Sequence, residues 1–113
     1  SMAVVDARVL SLAFSRASAD VVVWVEGELD GYTAPMLAER LIDIIVQQGN
    51  LAVTIDLAGV SFLDSAGTAV LLSAHQSLRR QGGGLALRNP SRPVEKVLAI
   101  SRWPGCSRSE IAA

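Results

Sequence analysis

The sequence predicts a single α/β domain, a mixed sheet of four to five strands with helices packed on it, in the order β-β-α-β-α-β-α. Two runs, VVVWVE at 21–26 and LAVTIDL at 51–57, are rich in β-branched and apolar residues, as strands buried on both faces are. Between them, and again after the second, apolar residues recur at helical spacing. A strand, a helix and a strand within about 35 residues make a crossover unit, expected right-handed. The 113 residues suit one domain, half of them hydrophobic and 19% charged, a composition that argues against disorder. Ser1, ahead of Met2, is read as a tag remnant, so the domain is taken as 2–113.

The elements follow in order. RVLSLAFS at 8–15 alternates loosely and reads as an edge or half-buried strand, with Arg16 to Asp20 as a hairpin connection to the strand at 21–26. GELDGYTAP at 27–35 breaks that strand; Thr33 is the expected N-cap of a helix, with Pro35 in its first turn. From Met36 to Gln48, Leu37, Leu41, Ile44 and Ile45 form an apolar stripe, and Glu39, Arg40, Asp43 and Gln47 take the wet side. Gly49-Asn50 is the expected helix stop. After the strand at 51–57, a loop is expected from Ala58 to Asp64. A helix then runs from about Ala66 to Gln81, with Val70, Leu71, Ala74 and Leu78 inward. Arg79 and Arg80 suit its C-terminal dipole, and Gly82-Gly83-Gly84 ends it. LALR at 85–88 is a short strand, and Pro93 opens a third helix over 94–100, with Val97 and Leu98 inward. Residues 106–113 admit a short strand or a helix.

Composition excludes several classes. With a net charge of −1 and mixed signs there is no basic patch for nucleic acid and none for an anionic membrane surface. The apolar run from Ala66 to Leu72 is too short to span a bilayer, and no signal peptide is recognised. One cysteine, Cys106, closes no internal disulfide and with His75 makes no four-ligand zinc site, so the reducing cytoplasm is the expected compartment.

The chemistry concentrates in FLDSAGTAVLL at 62–72, where Asp64, Ser65 and Gly67 interrupt two apolar runs. Ser65 reads first as an N-cap, with Asp64 at the positive end of the helix. Gly67 lets another backbone come close, offsetting the roughly 1 kcal/mol a helical glycine costs. A nucleophile elbow needs G-x-S-x-G, and the first glycine is missing. His75 lies about 15 Å along the same helix, too far to deprotonate Ser65, and reads as a surface or boundary residue. Gly82-Gly83-Gly84 follows a helix and is no phosphate cradle. Asp30, Asp56 and Asp64 all stand near strand ends and can converge as a metal site or acid–base pair, although capping and loop hydrogen bonds explain each singly.

These residues carry a family resemblance. GELD at 27–30 with Thr33 and Pro35, IDLAGVSFLDSAG at 55–67, and RRQGGGLALRNPSRPVEKVLAI at 79–100 resemble the STAS domain, most of all its bacterial anti-sigma factor antagonist branch. The resemblance spans about residues 8–104 and implies a STAS-like fold. It implies a binding protein and not an enzyme, with no cofactor and no metal. The implied partner is an anti-sigma factor that is a serine kinase of the histidine-kinase ATPase fold. Binding it frees a sigma factor. The kinase phosphorylates the serine that matches Ser65, which ends binding, and a phosphatase restores it. Asp30, Thr33, Asp64, Gly67 and Thr68 are the implied partner surface, with Gly67 giving the kinase close access. Thr68 departs from the family's usual aliphatic residue and adds a second hydroxyl one turn from Ser65.

Phosphate adds about −1.5 to −2 charge. A helix N-terminus tolerates it within the domain, while a partner fitted to the neutral hydroxyl does not. Two alternatives stand beside this reading. One is a STAS scaffold or regulatory domain that works without phosphorylation, in a transporter, a lipid-trafficking complex or a stressosome-like assembly. The other is a nucleotide-binding or hydrolytic module.

Overall fold

Val21, Val23 and Val25 are buried, while Trp24 between the last two and Glu26 after them are exposed, and this alternation sets the architecture. The computed structural model describes residues 10–18, 20–47, 51–104 and 111–112. Strand β1 (Leu10–Ala17) pairs antiparallel with β2 (Asp20–Leu29), Ala17 facing Asp20. Helix α1 (Ala34–Gln47) leads to β3 (Ala52–Leu63), and α2 (Ser65–Arg80) leads to β4 (Gly84–Arg88). Helix α3 (Arg92–Ile100) follows, and β5 (Ile111–Ala112) pairs antiparallel with β4. The strand order is β1-β2-β3-β4-β5, with β2, β3 and β4 parallel. Among the described residues no helix is long and apolar enough to cross a membrane.

The register places Val21, Val53 and Leu85 in one row across β2, β3 and β4, and Val23, Ile55 and Leu87 in the next. Helix α1 buries Leu37, Leu41, Ile44 and Ile45, α2 buries Leu71, Ala74 and Leu78, and α3 buries Val94 and Leu98. The expected stripes of α1 and α2 therefore meet the sheet, although Val70 and Val97 are only partly covered. Three expectations change. The strand at 21–26 is buried on one face and not two, because Trp24 on the other face is 38% exposed. There, Trp24, Asp56 and Arg88 form a row across three strands. The Arg88 guanidinium lies 5.9 Å from the Trp24 ring centroid, and its Nε donates to Asp56 Oδ2 at 2.8 Å.

The segment expected as a loop at 58–64 is mostly strand. β3 continues to Leu63, because register shifts let Gly59, Val60, Phe62 and Leu63 pair with Glu26, Gly27, Glu28 and Leu29. The first shift ends at Gly59, where a side chain would meet Glu26 Cγ at 2.6 Å and Val25 O at 3.1 Å. The third correction is His75, which is only 8% exposed. Its ring packs against Trp103 with centroids 5.6 Å apart.

The glycines after α2 behave as expected. Gly82 takes φ 87°, the N–H of Gly83 donates to Leu78 O at 2.7 Å, and a side chain at Gly83 would collide with the Leu51 carbonyl. The helix stop expected at Gly49-Asn50 and Cys106 lie outside the described residues.

Candidate functional site

Because β2 and β3 are parallel and adjacent, the turn after one and the helix start after the other lie side by side. Leu29 pairs with Leu63, and the Leu29 carbonyl accepts the Asp64 N–H at 3.2 Å. Segment 27–35 thus abuts segment 62–68, the two that the sequence singled out.

The turn after β2 is built by Asp30 and Thr33. Asp30 Oδ1 accepts the N–H groups of Tyr32 at 2.9 Å and Thr33 at 3.0 Å, an Asx turn. The Thr33 hydroxyl accepts the Asp30 N–H at 3.0 Å and donates to Glu28 O at 2.7 Å. The hydrogen bond from the Thr33 N–H, aided by those from Tyr32 N–H and the Thr33 hydroxyl, outweighs desolvation and holds the Asp30 carboxyl below its ordinary value. Thr33 immediately precedes α1, as expected of a cap. Its hydroxyl instead turns back to tie the turn to β2, and the residue is fully buried.

The start of α2 is capped by Asp64, not by Ser65. Asp64 has extended backbone, and its Oδ1 accepts the Gly67 N–H at 3.0 Å. Aspartate takes the cap because it supplies both the acceptor and a negative charge at the helix start. Ser65 becomes the first helical residue and is exposed, its hydroxyl not needed for capping. Gly67 is buried: a Cβ there would lie 2.7 Å from Leu29 O, 2.8 Å from Leu63 Cδ1 and 2.9 Å from Leu29 Cγ. Its missing side chain lets α2 dock on the end of β2, so internal packing accounts for the glycine. Thr68 is 3% exposed, and its hydroxyl donates to Asp64 O at 2.9 Å.

The expected partner surface is therefore divided. Ser65 is exposed, and Asp30 and Asp64 are part-exposed around it. Thr33, Gly67 and Thr68 are buried and hold the site from beneath, so as side chains they are no contact surface. Asp56 does not converge with Asp30 and Asp64. Its carboxylate is committed to Arg88, to Asn89 Nδ2 at 3.0 Å and to the Ala58 N–H at 2.9 Å. Burial raises its pKa, but these hydrogen bonds and the Arg88 charge outweigh burial and leave it below its ordinary value.

Two residues of the site escaped sequence reasoning. Tyr32 is 81% exposed and Phe62 47% exposed, on the two segments that meet at Ser65. The signal was an aromatic next to each polar motif. The electrostatics are one-sided, because no lysine or arginine stands between Arg16 and Arg40 or between Arg40 and Arg79. Glu28, Asp30 and Asp64 are thus the charged groups that these segments supply.

The STAS domain family model matches residues 13–103. The chain is similar to the anti-sigma-B factor antagonist of Bacillus subtilis, 34% identical over 82 residues, which is 73% of each chain. Its fold is similar to that of the anti-sigma factor antagonist SpoIIAA in its unphosphorylated form, with a TM-score of 0.72, 26% identity and 81% of each chain covered. The phosphorylated form of the Bacillus cell fate determinant SpoIIAA matches with a TM-score of 0.67 and 25% identity, covering 80% of this chain and 83% of that one.

Proposed function

Because this chain belongs to the STAS domain family, we propose that it is an anti-sigma factor antagonist, binding an anti-sigma factor and so releasing the sigma factor. The finer reading is a switch. The anti-sigma factor is a serine kinase of the histidine-kinase ATPase fold, it phosphorylates Ser65, the phosphorylated chain is released, and a phosphatase resets it. One observation carries the reading: Asp64 caps α2 and leaves the exposed Ser65 hydroxyl available at the helix start. This chain's fold is similar both to an unphosphorylated and to a phosphorylated form of SpoIIAA, which supports a modification the domain survives.

Physical chemistry favours the same residue. A phosphate on Ser65 sits at the positive end of α2 and stabilises more than it strains. It also joins a surface whose own segments supply acids and no base, so a partner shaped to a neutral hydroxyl meets a dense, strongly hydrated charge. The buried Thr68 hydroxyl, committed to Asp64 O, is a poor acceptor by comparison. Incubation with ATP and the anti-sigma factor kinase of the same genome, followed by mass-spectrometric mapping, tests the assignment. Phosphate on Ser65 is expected; phosphate on Thr68 alone, or none, refutes the switch.

A further inference from the structure

Two large aromatic side chains are exposed on the two segments that meet at Ser65. Tyr32, 81% exposed, occupies the turn held by Asp30, and its neighbour Gly31 would bring a Cβ within 3.9 Å of Ala66 Cβ, next to Ser65. Phe62, 47% exposed, lies three residues before Ser65 on β3, opposite Glu28. Both sit on backbone that is fixed. Tyr32 N–H is bonded to Asp30 Oδ1, and Phe62 belongs to a paired strand. Rigid aromatics beside a polar centre are what a partner site uses to shut out water.

We propose that Tyr32 and Phe62 are an aromatic bracket around Ser65 that seats on an apolar patch of the anti-sigma factor and sets how strongly phosphate on Ser65 is rejected. This rests on the function proposed above and adds a reason for its sharpness. In a wet interface a new charge interacts through water, and a like charge a few ångströms away changes affinity only several-fold. In a desolvated interface the same phosphate loses its hydration with no cation from its own segments to replace it, and the loss grows by orders of magnitude. Acids at 28, 30 and 64 alone cannot supply that dryness; exposed aromatic rings on the two segments that meet at Ser65 can.

The test compares affinities of the chain, with and without phosphoserine installed at Ser65, for the purified anti-sigma factor of the same genome. Proteins are the native chain, Tyr32→Ala, Phe62→Ala, the double variant and, as control, Ile100→Ala. Ile100 is also 81% exposed but lies at the far end of α3. The double variant should bind the factor about tenfold more weakly or worse when unphosphorylated. The ratio of phosphorylated to unphosphorylated Kd should fall about tenfold, whereas Ile100→Ala changes neither. Tyr32 is so exposed that Tyr32→Ala folds normally and carries the test even if Phe62→Ala does not. Native discrimination with the ratio unchanged in the variants overturns the bracket and leaves the switch standing. A native chain that binds equally in both forms, or not at all, overturns the switch and the bracket with it.

Discussion

Gly67→Ala separates a packing glycine from a merely permissive one. The added Cβ would lie 2.7 Å from Leu29 O, and ordinary contact begins near 3.4 Å, so the helix start or the strand end must give by about 0.7 Å. The obstacle cannot yield cheaply, because the same carbonyl accepts the Asp64 N–H at 3.2 Å and Leu29 is fully buried. Overpacking of this kind costs about 1–3 kcal/mol. Alanine returns up to about 1 kcal/mol through helix propensity. With a backbone atom as the obstacle, the upper part of that range applies, and a net loss of about 1–2 kcal/mol is expected. For a domain of this size that lowers Tm by about 4–8 °C. Calorimetry of the native chain, Gly67→Ala and Gly31→Ala measures it. Gly31 is the control, since its Cβ would meet nothing closer than 3.9 Å, and its replacement should leave Tm nearly unchanged. An unchanged or raised Tm for Gly67→Ala would refute the packing argument, since a glycine with open space beside it gains from the substitution.

Three further outcomes follow from single interactions. Asp64→Ala removes the α2 cap and should cost about 1 kcal/mol in urea titration, while Asp64→Asn, which keeps an acceptor, retains most of it. Thr33→Val strands the part-buried Asp30 N–H and Glu28 carbonyl and should cost about 1 kcal/mol, with Thr33→Ser close to native. Burial, with the nearby Arg79 charge second, holds the His75 pKa below its ordinary 6.5, so the unfolded chain binds this proton more readily than the folded one. Stability is therefore complete above pH 6.5 and declines as pH falls from there toward the folded value. A pH series of thermal melts with His75→Phe should show a flatter profile below pH 6.5 than the native chain.

What was legible in the sequence is what periodicity controls. The stripe Leu37, Leu41, Ile44 and Ile45, and the β-branched runs at 21–26 and 51–57, lead to the right elements in the right order because burial of one face decides them. Local chemistry was less legible where two residues compete for one role. Asp64 and Ser65 can each cap α2, and only the backbone of Asp64, extended at φ −119°, decides between them. The segment 58–64 reads as a loop but mostly continues β3, since a neighbouring strand long enough to pair with is a tertiary fact. His75 stood one residue after Ala74 and three before Leu78, so the stripe already pointed to burial; its ring polarity hid it. Thr33 was found as a site residue, but its part beneath the surface depends on Glu28 and Asp30 folding back around it.

The central claim is that one exposed hydroxyl at a helix start governs partner binding without governing the fold. The direct measurement is the Kd of the chain for the anti-sigma factor, taken before and after stoichiometric phosphorylation of Ser65, with Tm recorded on both samples. Binding should weaken at least about 100-fold, equivalent to about 2.7 kcal/mol, while Tm stays within a few degrees. Equal affinity in the two forms, or a loss of binding that comes with unfolding, would contradict it.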